Sequence, residues 1–483
     1  MTTLRARATY LAPLLLAALF AGFTVAATAF RPMPLGDDWI FFSHFDHIPL
    51  LPHGDAECAV LANATAADGL RFRPLAYAHM WTERRLSSSF AWNWAIGLAY
   101  LGACGSALAL LLTRLGTPRI SAILAGALLV LHPAQCEVWG WASARIDTMA
   151  TAFGLLALAL SIGGRRVIGG IAFLAALLCK ESAYPLVVLP PLWTLLQRRG
   201  LGAAARASAA PLAALAIVVG LKLALVGKFF ASSWGNGLAD IPLGVRIAGY
   251  ASVLRPLLFD PISIAAKNAN WLGVLFVGLL GSALIVGLIR RRAVADSSGN
   301  TRVVTWLLAA FGVSIVVTFG VPVRPDLAGG RVWLLPAAFL LGCLARVSEP
   351  WILAVALLPS AAALHANLAP YRVATQDMRR VVDRVLTDTS DRDAAIRISD
   401  LEAVRWPVPL FAIMTNYAHE LLQAPHDQVA RALLTRDDQA KLDPAGIAKL
   451  DRLWRSRMRA AGKHVTAYRW NRETRTLERR RRD

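Results

Sequence analysis

Eleven apolar runs, separated by short connections, constrain this chain more than any other feature. They lie near residues 9–30, 92–113, 120–132, 148–164, 167–179, 183–197, 207–226, 271–289, 303–321, 332–346 and 350–366. About 20 apolar residues of helix cross a hydrocarbon core roughly 30 Å thick, so the pattern is that of a multi-pass membrane protein. Composition agrees, with 56% hydrophobic residues and only 17% charged, against about 25% charged in ordinary soluble chains. One soluble globular domain is excluded, and so is intrinsic disorder, which needs low hydrophobicity. Fifteen Trp fit a protein with two interfaces to anchor. Five Cys are too few for a disulfide scaffold.

The net charge of +20 is unevenly placed. The short connections 1–8, 114–119, 165–166, 198–206, 290–302 and 346–349 hold 14 Lys and Arg against 2 acids. The loops between them, on the other side, balance to zero. By the positive-inside rule the basic side is cytoplasmic, so the basic pI reports topology and gives no argument for nucleic acid. The first run resembles a signal peptide, but its roughly 20 apolar residues exceed a typical h-region, and it reads as a retained anchor. The stretch 167–197 is broken by Lys180-Glu181-Ser182. Read as one span it would put Arg290, Arg291 and Arg292 outside; read as two short helices it keeps the charge rule throughout.

The expected fold class is an all-α polytopic membrane protein of about 11 transmembrane helices. A transmembrane domain at 1–366, with an external loop at 31–90, precedes a small external α or α+β domain at 367–483. The N-terminus is then cytoplasmic and the C-terminal domain external. The Ala- and Arg-rich composition fits a bacterial inner membrane facing a periplasm. Loop 227–270 contains an amphipathic, interfacial-type segment. In the tail, the stretch DQVARALLTRDDQAKLDPAGIAKLDRLWRSR reads as helical, and HVTAYRWNRETRTLERR reads as a strand pair turning at Asn471-Arg472.

Two runs are too short to span. Residues 120–132 end at His132-Pro133, and 167–179 end at Lys180-Glu181. Charged, broken backbone at membrane depth survives where it lines a wet cavity or packs inside protein, so an outward-facing cavity is the place to look for a site. Several groups lie on that side. Asp37 and Asp38 follow the first span; two adjacent carboxylates raise one pKa, and one suits removal of a proton from a hydroxyl. Their bland reading is a solvated flank. Arg71 and Arg73 in RFRPLAY suit phosphate, or else simple snorkelling. HPAQCEVWGWASARID places His132, Glu137, Arg145 and Asp147 around two Trp. Arg145 with Asp147, and Lys180 with Glu181, read equally as local ion pairs. Arg331 stands at the mouth of a later span, with Lys222, Lys228 and Arg324 as further outer cations. His44, Asp46, His47, His53, Asp55 and Glu57 match no closed zinc spacing. A weakly held divalent cation at the Asp37–Asp38 pair is favoured over a structural zinc site. Cys58 and Cys136 share the outer side and suit a disulfide in an oxidising compartment; Cys104, Cys179 and Cys343 read as small buried residues.

In this order the segments resemble the GT-C superfamily of polyprenyl-phosphate-sugar-dependent glycosyltransferases, most of all the transmembrane O-mannosyltransferases with TPR repeats and their bacterial relatives (glycosyltransferase family 39-like). GDDW is similar to the acidic pair of the first external loop, and RFRPL to a YRPL segment. HPAQCEVWGWASARID is similar to HPxHTEAVxxxxGRAD, and LLCKESAYPLVVLPPL to LSKExG…LP. GRVWLLPAAF resembles ERYLYLPSxGF, and NLAPYRVATQDMRRVV resembles the segment after the last span. The likeness covers roughly residues 30–385. Gln135 departs from the second His, Ala144 from the Gly before Arg145 and Gly330 from the Glu before Arg331; the tail shows no TPR repeats.

The resemblance implies an inverting transfer of a sugar from a polyprenyl-phosphate donor to an acceptor hydroxyl on a lipid, glycan or exported protein. Asp37 or Asp38 would act as base. Arg73, Lys180 and Arg331 would hold the departing phosphate, while His132, Glu137, Arg145, Asp147 and Glu181 would shape the pocket. A lipid flippase or transporter, and a non-catalytic glycan-assembly protein, are the alternatives.

Overall fold

The computed structural model describes residues 11–28, 72–87, 89–226, 244, 268–293, 298–317, 330–388, 394–401, 404–405, 408–409, 431–435, 456, 464–471, 474 and 476–479. These divide into two compact units, parted between Ala369 and Pro370.

The first unit is helical. In chain order it contains α1 (Ala12–Thr28), α2 (Pro74–Leu86), α3 (Phe90–Arg114), α4 (Arg119–Leu131), α5 (Cys136–Gly140), α6 (Arg145–Ile162), α7 (Arg166–Cys179), α8 (Leu189–Leu196), α9 (Leu201–Val226), α10 (Asn270–Ala293), α11 (Ser298–Val317), α12 (Leu334–Val347) and α13 (Pro350–Asn367). Among the described residues, six helical stretches are long and apolar enough to cross a membrane: Phe90–Arg114, Ala142–Ile162, Leu201–Leu225, Asn270–Gly287, Gly330–Val347 and Pro350–Asp377. A seventh arises if Arg119–Leu131 and Pro133–Gly140, which meet at 46°, count as one bent span. The protein is therefore a multi-pass membrane protein, but the expected count of eleven full spans is corrected to six or seven among the described residues.

The shortfall has a physical origin. Helix α4 has 13 residues and α7 has 14, so each rises about 20 Å, well short of a hydrocarbon core of about 30 Å. The run at 183–197 is not one helix. Residues Glu181–Val188 form a 3₁₀ turn containing Pro185, and only the eight residues of α8 follow as α-helix. Helix α1 has 17 residues and docks on α3 and α4. Its Pro13 sits where these two helices approach so closely that a Cβ on Gly105 would lie 2.6 Å from the Gly126 carbonyl oxygen and 2.8 Å from Pro13 Cβ. Phe20 of α1 meets Trp139 edge-on at 4.9 Å. Backbone carbonyls buried between helices take indole donors: Trp306 Nε1 donates to Leu189 O at 2.9 Å and thereby ties α11 to α8.

The second unit holds α14 (Ala369–Asp388) and the strands β1 (Ala394–Leu401), β2 (Val404–Arg405), β3 (Val408–Pro409), β4 (Arg431–Thr435), β5 (His464–Asn471) and β6 (Thr476–Arg479). Four of them form a sheet in the order β4-β1-β5-β6. Strand β1 runs parallel to β4 and β5, with Ile396 facing Arg431 on one side and Thr466 on the other. The segment expected as a strand pair is the antiparallel β5–β6 hairpin, with Asn471 opposite Thr476. Strand β4 corrects the helical expectation for its part of the tail: RALLT pairs with β1, and tertiary pairing overrides local helix propensity.

Candidate functional site

The site is made by breaks in helices. Pro133 has no N–H to donate and pushes the residue before it out of the helical region. His132 accordingly has φ −59° and ψ 130°, and α4 stops there. The chain then advances in short pieces: a 3₁₀ turn at Pro133–Gln135, the five residues of α5, an extended Trp141, and a second 3₁₀ turn at Ala142–Ala144. Two indoles pin the pieces. Trp139 Nε1 donates to Val130 O at 2.9 Å, and Trp94 Nε1 donates to Trp139 O at 2.7 Å. Helix α7 breaks likewise at Lys180, which is fully extended at φ −163° and ψ 144°. The Gly330–Trp333 turn docks against the first break, and a Cβ on Gly330 would lie 2.4 Å from Ala134 O. The Gly at 330, in place of the Glu of the resembling segment, is thus required by backbone contact.

These breaks bring together residues that are far apart in sequence. Arg73 caps the start of α2 and reaches Glu181 with two parallel donors, Nε at 3.0 Å and Nη2. Lys180 Nζ pairs with Asp147 Oδ1. Arg331 pairs with Glu137 through Nη1 at 2.5 Å and through its backbone N–H at 3.0 Å. Its Nε lies 3.6 Å from Asp147, and its guanidinium covers the Trp141 ring at 4.3 Å. The result is a continuous string of charge from Lys180 through Asp147 and Arg331 to Glu137, with Arg73–Glu181 joined through the adjacent backbone of Lys180 and Glu181. Lys222 of α9 feels the charges of both Glu181 and Arg73.

The expected local pairs do not form. Arg145 does not pair with Asp147, nor Lys180 with Glu181; each takes a partner from another segment. Successive residues on an extended backbone point apart, and Arg145 and Asp147, two positions apart on a helix, do not face each other. Arg145 instead turns inward to Glu83 of α2 and donates through Nε to Ala142 O at 3.1 Å. Glu83 also accepts from Asn93 Nδ2 at 3.0 Å and lies 2.7 Å from His79 Nδ1. His79 in turn contacts Tyr100 Oη at 3.0 Å through Nε2. This second, buried network was not visible in the sequence reading. Its only trace there is TERR at 82–85, an acid beside two cations at the end of an amphipathic helix.

Exposure divides the first cluster into layers. Asp147 and Glu137 side chains are 7% and 5% exposed, Lys180 and Arg73 12% and 13%, Arg331 28% and Glu181 43%. Asp147 and Glu137 form the floor, Lys180, Arg73 and Arg331 lie above them, and Glu181 is the most exposed. Burial would raise the Glu181 carboxyl; the Arg73 guanidinium, by charge and hydrogen bonding, outweighs burial and holds it down at about 2. Burial lowers the Lys180 ammonium, only partly offset by Asp147.

His132 is buried, and its Nδ1 accepts from Ala134 N–H at 3.2 Å while its ring meets Phe276 edge-on at 5.4 Å. It sits in the wall behind the break. Gln135 is fully buried, and its amide has no hydrogen-bond partner among the described residues. Cys136 is buried, as are Cys104, Cys179 and Cys343. Asp37, Asp38, Arg71, Cys58, Lys228, Arg324 and the His/Asp/Glu group at 44–57 lie outside the described residues. Among the described residues no group of three His, Cys, Asp or Glu side chains gathers to hold a metal.

Comparison of the chain with family models, with curated proteins and with solved structures finds no match.

Proposed function

We propose that the protein is a membrane glycosyltransferase of GT-C type, moving a sugar from a polyprenyl-phosphate donor to an acceptor hydroxyl on the external face. The observation that carries this reading is the convergence of Arg73, Lys180 and Arg331, from three separate segments, onto one rim at the ends of helices too short to span. Fixed cations in a partly desolvated site stabilise a phosphate leaving group as its charge develops. The buried Asp147 and Glu137 beneath, and the more exposed Glu181 beside Arg73, hold the cations in place before donor binds. Asp37 or Asp38 takes the acceptor proton, the hydroxyl oxygen bonds to the anomeric carbon, and the bond from that carbon to the phosphate oxygen breaks with inversion. A weakly held divalent cation at the aspartates is compatible with the scheme. An external C-terminal domain and a bacterial inner-membrane location belong to the same proposal.

Charge balance favours a second reading. Each rim cation already has a carboxylate, as in a static network that serves a non-catalytic assembly protein or a lipid flippase. Reconstituted vesicles separate the three. An enzyme consumes a polyprenyl-phosphate sugar, a flippase moves it across unchanged, and an assembly protein does neither. Consumption that is lost in the Asp37→Asn/Asp38→Asn double variant supports transfer; undiminished consumption in that variant removes the aspartates from the mechanism.

A further inference from the structure

A second concave site lies at the opposite ends of the same helices. Asp147, near the start of α6, belongs to the charge cluster; Ser161, near its end, lines an open pocket. Fourteen residues of helix separate the two by about 20 Å. The pocket is walled by the ends of α6 and α8 and the beginnings of α7 and α9, with Arg166, Arg199, Trp193, Thr194 and Ser161 among its lining. Its two loops turn tightly: Gly164, Arg198 and Gly200 all have φ between 55° and 81°. Arg198 adopts this left-handed conformation without being a glycine, and the turn that contains it carries Arg199 to the pocket wall.

The electrostatics are one-sided. Residues 148–180 and 182–239 contain no Asp or Glu, yet they carry Arg165, Arg166, Arg198, Arg199 and Arg206. Among the described residues neither Arg166 nor Arg199 is ion-paired. The flanks are apolar and open: Val167 is 75% exposed, Ile171 62% and Leu201 80%. Two guanidiniums at a cavity, an interfacial Trp and uncovered aliphatic surface on both sides make a receptor for a ligand with an anionic head and a hydrocarbon body.

We propose that this pocket binds the phosphate headgroup of an anionic phospholipid of the surrounding leaflet, with its acyl chains lying along the exposed faces of α7 and α9. The guanidiniums meet the phosphate oxygens. The lipid clamps the loops at 163–166 and 197–200, the first of which joins α6 and α7 at the ends opposite the charge cluster. The inference stands whether or not the protein transfers sugars.

The test uses the full chain in nanodiscs of phosphatidylcholine doped with phosphatidylglycerol, released into detergent and examined by native mass spectrometry. Wild-type protein retains phosphatidylglycerol in preference to phosphatidylcholine. Arg166→Gln/Arg199→Gln lowers that retention about tenfold. Ala203→Trp, which fills the pocket and leaves every charge in place, lowers it as well. Arg165→Gln/Arg206→Gln removes the same charge from the 163–166 loop and the second turn of α9, outside the pocket lining, and leaves retention within about twofold of wild type. Equal loss in both arginine pairs, or undiminished retention in Ala203→Trp, overturns the proposal in favour of non-specific attraction to a basic surface. Displacement of the lipid by excess inorganic phosphate overturns it in favour of a soluble-anion site.

Discussion

Single side chains in this protein carry consequences because their charges are buried in pairs. The Arg145 side chain is fully buried and that of Glu83 is 4% exposed. Removing one partner strands the other, which costs about 3–5 kcal/mol in such a setting, while replacing both is much milder. Glu83→Gln and Arg145→Met should each lower the thermal unfolding temperature sharply in detergent, and the double variant should recover most of the loss. Additive losses would show that the two do not act as a pair. The Arg73–Glu181 pair has a signature in pH. Glu181 titrates at about 2 in the folded chain, against an ordinary value of 4.5. A depressed folded pKa adds stability that is present in full above the unfolded value and is lost as pH falls through the folded one. Stability from this pair should therefore be flat above about pH 5 and decline between about pH 4.5 and 2. Glu83 is lowered too, with His79, Arg145 and Asn93 together outweighing its burial, so the whole decline has the same sign. An unfolding series against pH in the Glu181→Gln variant should show a shallower acid limb than wild type.

Elements in this protein matter most where they stop. Proline at 133 and the extended Lys180 were legible in the sequence as short apolar runs ending in polar residues, and those breaks are where the structure gathers its charge. Two other things were not legible. Partner choice within the cluster depends on which strings of backbone meet in space; Arg145 and Asp147 are two apart in sequence yet point to different networks. The docking of the Gly330 turn on Ala134 leaves only a glycine as its mark. That contact makes a prediction. Gly330→Ala would place a Cβ 2.4 Å from a carbonyl oxygen, and backbone on both sides has nowhere to yield, so the turn must lift. Overpacking of this kind costs about 1–3 kcal/mol. Donor turnover should fall more than stability, because lifting the turn separates Arg331 from Glu137. Unchanged turnover with reduced stability would place Arg331 outside the site.

At the scale of the whole molecule, membrane character was readable from the runs and their basic connections, and the tail's β5–β6 hairpin from its alternation. The number of full spans was not. Apolar composition counts runs, whereas crossing needs length, and α4, α7 and α8 spend theirs reaching a site and turning. Strand β4 was missed because RALLT has helical composition and becomes a strand only by pairing with the distant β1. The account of the molecule rests on one claim, that its short helices hold a cationic rim for the phosphate of a lipid-linked sugar. The direct measurement is release of free polyprenyl phosphate by the full chain in nanodiscs, presented with a panel of polyprenyl-phosphate sugars and membrane extract as acceptor source. The account predicts release from at least one donor, reduced about 100-fold or more in Lys180→Gln and in Arg331→Gln, as for loss of a charge-stabilising donor. No release from any donor by folded protein, or release indifferent to both substitutions, would contradict it.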